Sequence, residues 1–372
     1  MNDNNVTVSI STENGAYFLR SDENRKKWSK GKQFLAGESV NNVEMDKQGQ
    51  FFASTLTEGV FSSRDGGKTW NPSSRGLNVR RVWTVEADEH QDGLLYAGTQ
   101  YGHLFRSTNS GKNWEEVTGL YTAPNREKWG IDWGFGTTGL TIHTIKSDPN
   151  KKGRLYIIAA GNGTYRSDDS GETWKSLKSG IIESCPTIKQ KNRPSIPKIG
   201  EPDEIAEHLN GVHSCSHKLA LSGLKPGTIY QQNHCGVYAS SDSGNKWKDI
   251  SHSNADRHGF PIVVAEGKKE SVFVIPAFQG ECKKHNSCIK GQITVNRSDN
   301  GGKTWKSLNK GLPNGMHTVV LRDGMAADSL QEPGVYFGTS TGEVFGSIDL
   351  GESWVKIASG LGRIQGVSVF VT

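Results

Sequence analysis

Four side chains in this sequence share one address. Trp83, His143, His217 and Asp323 each stand 12 residues ahead of an apolar residue followed by tyrosine, at Leu95, Leu155, Ile229 and Val335. Two imidazoles and a carboxylate brought to one centre have two chemical uses: they can hold a divalent metal, or act as acid, base and orienting group. His143, His217 and Asp323 are therefore the candidate metal set. With His234, which follows Tyr230-Gln231-Gln232-Asn233, they are also the candidate catalytic set. Gln231 and Asn233 lie beside His234 as candidate substrate contacts, and Trp83 adds a ring face. Arg81 and Arg322 neighbour the same level and suit an anionic group on a substrate. The bland alternative is a set of satisfied polar residues around a water-filled channel. No H-x-H or C-x-x-C spacing supports the metal reading, since these residues come from separate segments.

Three further groups could carry chemistry. Trp129, Trp133 and Phe135, with Asp132 among glycines, form an aromatic set suited to stacking on sugar rings, or to ordinary packing. Asp132, Asp256 and Glu281 are the acids that could join Asp323 if the reaction is glycoside cleavage, which needs two carboxyl groups. Cys282, His285 and Cys288 form a C-x2-H-x2-C arrangement that suits zinc but lacks a fourth ligand. A disulfide between Cys282 and Cys288, or idle thiols, is the alternative. Cys215 and His213 sit close to His217 in the chain.

The elements that must position these residues are announced by a repeat. Ser63-Arg64-Asp65-Gly66-Gly67-Lys68-Thr69-Trp70 returns at Ser107–Trp114, Ser167–Trp174, Ser240–Trp247, Ser298–Trp305 and Ser347–Trp354, in the frame S-x-(D/N)-x-G-x-x-W. A worn copy runs from Ser21 to Trp28, where Glu23 and Arg25 replace the acid and the glycine, so a looser turn is expected there. In the intact copies the Asp or Asn side chain can accept backbone N–H bonds and the glycine supplies a left-handed backbone angle. The tryptophan then buries a large apolar surface against the sheet stack. Seven tryptophans in one register, about 40–50 residues apart where no insertion intervenes, are the signature of a propeller of four-stranded blades.

The octet resembles the BNR or Asp-box repeat, found in sialidases, in the propellers of sortilin-type receptors, in xyloglucan-cleaving glycosidases and in a photosystem assembly factor. The resemblance covers essentially the whole chain and implies an all-β, seven-bladed propeller. It does not fix an activity. Sialidases are six-bladed with an arginine triad and an early Arg-Ile-Pro stretch, which this sequence lacks. The xyloglucan-cleaving relatives carry two propellers, and this chain is long enough for one.

The resulting expectation is a single domain over residues 1–372, in which each unit reads inner strand, second strand, third strand, octet turn and tryptophan strand. Gly366 to Val371 reads as the inner strand missing ahead of Val6 to Ile10, so strands from both termini share one blade and remove the open edge. The steps between tryptophans are 42, 44, 60, 73, 58 and 49 residues, and the surplus falls at 121–139, 181–216 and 276–294. All three insertions are expected on the channel-mouth face, opposite the octet turns, where long insertions shape binding sites. The second includes a possible short helix at 202–209, with Pro202 in its first turn.

With 372 residues, 45 glycines, a mean hydropathy of −0.59 and a net charge of +5, the chain reads as a turn-rich soluble protein. Charge is not concentrated as a nucleic-acid ligand requires, and no apolar run reaches membrane length. Five cysteines disfavour a secreted disulfide framework. Together with an N-terminus unlike a signal peptide, they place the chain in the cytoplasm. The leading functional expectation is a hydrolase-like, glycosidase-like enzyme acting on a polar, sugar-derived small molecule at the channel mouth. The alternatives are a non-catalytic ring that binds a protein partner, and a metal-dependent hydrolase or lyase.

Overall fold

A computed structural model describes residues 5–129, 140–181, 215–252, 257–277, 293–314 and 318–371. They form seven four-stranded antiparallel sheets in a ring, a seven-bladed β-propeller. The innermost strands are Ile364–Val371, Val40–Met45, Val82–Ala87, Ile142–Ser147, Ser216–Leu221, Gly259–Glu266 and Met325–Ala327. Ile364–Val371 pairs antiparallel with Val6–Thr12, so the two ends of the chain close the ring inside one blade, as the sequence predicts. Gly366 lies where that strand meets the next, and a Cβ there would stand 2.3 Å from the Asn41 carbonyl oxygen.

What holds the ring is visible in its core. The buried apolar residues fall into seven clusters, one at each interface between neighbouring blades. Each cluster contains the octet tryptophan of one blade packed on the blade before it: Trp114 lies with Phe52 and Val60, and Trp247 with Tyr156 and Ile158. Trp28 closes the circle by packing edge-on against Tyr336 of the last blade. Several indole N–H groups also donate across the interface, Trp114 to the Ser73 carbonyl at 2.7 Å and Trp305 to the Ile250 carbonyl at 2.7 Å. Burying one indole contributes roughly 4–6 kcal/mol before the entropy of ordering it, so the octet is as much an inter-blade fastener as a turn.

The turn itself has the chemistry its residues suggest. Asp65 accepts from the backbone N–H groups of Lys68 and Thr69, both at 2.9 Å, and Ser63 Oγ accepts from Gly67 N–H at 3.0 Å. The worn copy is not looser. There Asp22, one position earlier, accepts from Lys26 and Lys27 N–H at 2.8 and 3.0 Å, the donors equivalent to Lys68 and Thr69. Arg25 takes the left-handed conformation (φ 54°) that Gly67 takes in the intact copy (φ 84°). Its side chain meets Asp328 of the last blade at 2.9 Å, a buried contact that gives a non-glycine residue there a purpose.

Antiparallel pairing sends the octet turns, which join third to fourth strands, to one end of every blade. The second-to-third loops and the blade-to-blade connections go to the other. The three insertions interrupt connections of the latter kind, though most of their residues, including the expected helix at 202–209, lie outside the described residues. No described helix is long and apolar enough to cross a membrane.

Candidate functional site

The inner strands share an irregularity. Pairing with the second strand slips by a residue at Asn41, Trp83, His143, His217 and Gln365, and likewise by one across Phe260 and Pro261. Asp323 occupies the same level in the last blade, one residue before Gly324, whose carbonyl accepts from Gly338 N–H. A bulge kinks a strand and re-aims the side chain it leaves unpaired. The level inferred from the 12-residue count is thus a physical tier, one bulge-level position per blade around the channel.

Electrostatics show which of these side chains meet. The His143 imidazole is buried and held well below its usual value, first by burial and then by Arg322, by competition with the His217 imidazole for a proton, and by Lys218, all on other blades. His217 is held down in the same way, by burial and by His258 and His234. Both imidazoles are therefore neutral at pH 7. The Nδ1 of His217 donates to the Gly259 carbonyl at 2.6 Å, which leaves Nε2 as an acceptor. Its ring stacks on Phe260 at 4.8 Å between centroids and meets His258 at 5.3 Å and His234 at 5.8 Å. His234 and His258 are 4.4 Å apart. On the other side of the mouth the Arg322 guanidinium lies over the Trp83 ring at 5.6 Å.

At and below this tier the channel's acids are paired or neutral. Lys218 reaches past one blade to ion-pair with Asp323. Lys146 bonds Glu86 at 2.8 Å. Burial, reinforced by the charge of Glu86, pushes the Glu44 carboxyl up to about 8, so it carries a proton at neutral pH.

Several expectations need correction. His143, His217 and Asp323 are not assembled as metal ligands: Asp323 is taken by Lys218, and among the described residues no group of three or more His, Cys, Asp or Glu side chains could hold a metal ion. Gln231 is fully buried in the wall, accepting from Thr164 Oγ1 at 2.6 Å and donating to Ser216 Oγ at 2.8 Å. Asn233 is also fully buried and accepts from Cys235 N–H at 3.1 Å, while its Nδ2 has no partner among the described residues. Trp129 is not an exposed platform. It is 8% exposed, donates to Tyr165 Oη at 2.9 Å and lies under the Arg126 guanidinium at 4.6 Å, because the chain after two 3-10 turns folds back onto the blade. Asp132, Trp133, Phe135, Asp256, Glu281 and the Cys282-His285-Cys288 arrangement lie outside the described residues. Cys215 is a free thiol and Cys235 is disulfide-bonded.

Three mouth residues escaped the sequence reading: His258, Phe260 and Lys218. Phe260 stands 12 residues before Val272, which precedes Phe273, so the count that found the other four reaches it as well.

Besides Asn233 Nδ2, three donors at this level are left over. Arg81 Nε, Arg322 Nε and Trp83 Nε1 are buried atoms without a hydrogen-bond partner among the described residues. Leaving a buried donor unsatisfied costs about 1–3 kcal/mol. By contrast Asp323, the carboxylate at this tier, is already engaged. The described mouth therefore offers neutral imidazoles, aromatic faces and spare cationic donors, an arrangement for holding a polar molecule.

Residues 1–127 match the DUF6242 beta propeller domain family. The chain is 22% identical over 331 residues to an oligoxyloglucan-reducing end-specific xyloglucanase of Emericella nidulans, covering 80% of this chain and 38% of that protein. It is 24% identical over 280 residues to xyloglucanase Xgh74A of Acetivibrio thermocellus, covering 67% of this chain and 28% of that protein. The chain thus spans well under half the length of these relatives. Among solved structures, an ancestral GH74 enzyme superposes with a TM-score of 0.60 at 15% identity, over 89% of this chain and 38% of that one. YCF48 from Cyanidioschyzon merolae superposes with a TM-score of 0.54 at 13% identity, over 89% and 94%. These likenesses place the chain among β-propellers, with distant glycoside-hydrolase homologues.

Proposed function

We propose that this ring is a glycosidase-like propeller of the BNR or Asp-box group that takes a saccharide-type ligand at the channel mouth. The observation that supports the reading is the tier of bulges, which sets Trp83, His143, His217 and Phe260 at one level of separate inner strands. Aromatic faces beside neutral hydrogen-bonding groups suit a sugar, whose C–H faces are apolar and whose hydroxyls both donate and accept. The distant xyloglucanase relatives support the same substrate class. Cleavage requires two carboxyl groups, and because Lys218 engages Asp323, Asp132, Asp256 and Glu281 are our candidates for them.

The test is calorimetric titration and reducing-sugar release with a panel of oligosaccharides, comparing the wild type with His143→Ala and His217→Ala. Affinity or turnover for at least one saccharide should fall about tenfold or more in each variant, the loss of one good hydrogen bond to a ligand. Unchanged values in both variants would remove the mouth from the function.

One observation favours a second reading, a non-catalytic ring that binds a protein: among the described mouth residues the one carboxylate at the bulge tier is neutralised by Lys218. A solved YCF48 carries a bound D1 peptide on a similar ring. This reading expects a protein partner to co-purify with the full chain and to be lost when residues 181–216 are removed. The disulfide at Cys235 favours an oxidising compartment over the cytoplasm expected from the cysteine count, and that is the location we propose.

A further inference from the structure

We propose that the ligand of the channel mouth is an acidic saccharide, bearing a carboxylate or a sulfate, and that Arg322 with Trp83 and Arg81 holds its anionic group. The proposal rests on the saccharide reading of the mouth and names the class of sugar.

The argument is one of charge and unmet hydrogen bonds. Arginine at a protein surface ordinarily finds a carboxylate or water. Among the described residues, neither the Arg81 nor the Arg322 side chain makes an ion pair or a hydrogen bond, and in each the Nε is buried. The nearest acid in sequence to Arg322 is Asp323, and that carboxylate has turned to Lys218 instead. His143 and His217 are neutral, so they add hydrogen-bonding groups and no countercharge for the guanidinium. Arg322 is also held in place: its guanidinium lies over the Trp83 ring at 5.6 Å, a cation–π arrangement that keeps the N–H fork from swinging into solvent. Trp83 in turn is anchored through its backbone, whose carbonyl accepts from Asn41 Nδ2 at 2.9 Å. The indole N–H and the guanidinium Nε–H thus belong to two stacked groups on different blades, both with a donor to spend.

An anion satisfies all of these conditions together. A planar carboxylate or a tetrahedral sulfate accepts from a guanidinium in a charge-assisted bond, about twice as strong as a neutral one, and has lone pairs left for an indole N–H. A neutral hydroxyl can accept one such bond but does nothing for the charge. The bulge that exposes Trp83 therefore serves the anion, while Phe260 and the histidines on the opposite side face the rest of the sugar.

The test uses the full chain and four probes: trigalacturonate, the neutral galactotriose, a sulfated galactotriose and inorganic sulfate. Calorimetry on the wild type should show trigalacturonate or the sulfated trimer binding at least about tenfold more tightly than galactotriose, the contribution expected of one charge-assisted contact. Whichever acidic trimer binds better identifies the carboxylate or the sulfate as the natural group. Arg322→Gln should erase the difference while leaving galactotriose affinity within about twofold. Because Arg322 has no hydrogen-bond or ion-pair partner to lose among the described residues, only its stacking on Trp83, that variant should melt within about 2 °C of the wild type without ligand. If it nevertheless fails to fold, Trp83→Phe, which keeps a smaller aromatic face and removes the N–H, should weaken the acidic trimers about threefold more than it weakens galactotriose.

Equal affinity for acidic and neutral trimers, or an acidic affinity unmoved by Arg322→Gln or Trp83→Phe, overturns the anion site and leaves the saccharide reading standing. If no trimer binds, but sulfate raises the melting temperature of the wild type and not of Arg322→Gln, the anion site is upheld and the saccharide reading falls. If neither the trimers nor sulfate bind, both fall.

Discussion

Glu44 offers the sharpest check on the charged channel, and the perturbation is Glu44→Gln. Its carboxyl is pushed from the ordinary 4.5 up to about 8, by burial first and then by the neighbouring charge of Glu86, partly offset by Lys146. The folded chain therefore holds a proton that the unfolded chain releases at 4.5. Between those values the native state binds more protons, so rising pH favours unfolding. The protonated side chain's contribution is complete below pH 4.5 and is lost as pH climbs through 8. The gap of about 3.5 pH units, at ~1.36 kcal/mol per unit, sets a ceiling near ~5 kcal/mol. Because Glu86 and Lys146 readjust when Glu44 ionises, roughly 2–4 kcal/mol is the expected fraction. Glutamine resembles the protonated acid and does not titrate. At pH 5 the variant should match the wild type within about 1 kcal/mol, and at pH 9 it should be more stable by roughly 2–4 kcal/mol. With an unfolding entropy near ~2.1 cal/mol/K per residue, that is a melting temperature about 3–5 °C higher at pH 9. Thermal and guanidinium unfolding at pH 5, 7 and 9, followed by tryptophan fluorescence, gives the difference, since titrating groups not coupled to Glu44 cancel between the two proteins. A stability difference that stays flat across this range would refute the argument, and with it the buried, closely packed channel on which it depends.

Two other outcomes follow from the fold. Arg25→Ala should cost about 3–5 kcal/mol, because it strands the Asp328 carboxylate, whose side chain is fully buried and among the described residues otherwise receives only Tyr336 Oη and the Leu330 N–H. Adding Asp328→Asn should recover part of the loss, and a single variant as stable as the wild type in guanidinium would contradict the contact between first and last blades. Thiol titration in denaturant without reductant should detect fewer than the five cysteines of the sequence, as the disulfide at Cys235 requires. Five reactive thiols in freshly isolated protein would count against both the bond and the oxidising compartment.

The blades were legible because their signals are local. An acid or amide two residues after a serine, a glycine two further on and a tryptophan three beyond that specify a turn and an anchor within eight residues, and seven anchors specify a ring. Asp22 shows the limit. A hydrogen bond depends on where a carboxylate sits in space, so an aspartate one position out of frame can close the same turn while the motif looks broken. The bulge tier was legible for a similar reason, since the hairpin from inner to second strand has nearly constant length. What no count reveals is pairing across the axis. Lys218 reaching Asp323 follows from the channel's width, and it removed the carboxylate on which both the metal set and the simplest acid-base set depended. Trp129 was ambiguous in principle: a tryptophan ahead of a glycine-rich run reads the same whether the chain folds back over it or presents it to solvent.

These placements together explain why the mouth has a sign. Along the channel, acids and bases are matched: Glu86 with Lys146, Asp323 with Lys218, and Glu44 neutral through its raised affinity for a proton. At the mouth the imidazoles of His143 and His217 are neutral because burial and nearby cations keep protons off them. The full charges left uncompensated among the described residues there are those of Arg81 and Arg322. A cationic rim over a balanced shaft directs field lines outward, so it draws anions to the opening without pulling them down the channel. The attraction is screened over about 8 Å at physiological ionic strength. Capture of an acidic ligand should therefore slow markedly between 20 and about 200 mM salt, while its rate of release changes little, because release is governed by contacts made at hydrogen-bond distance.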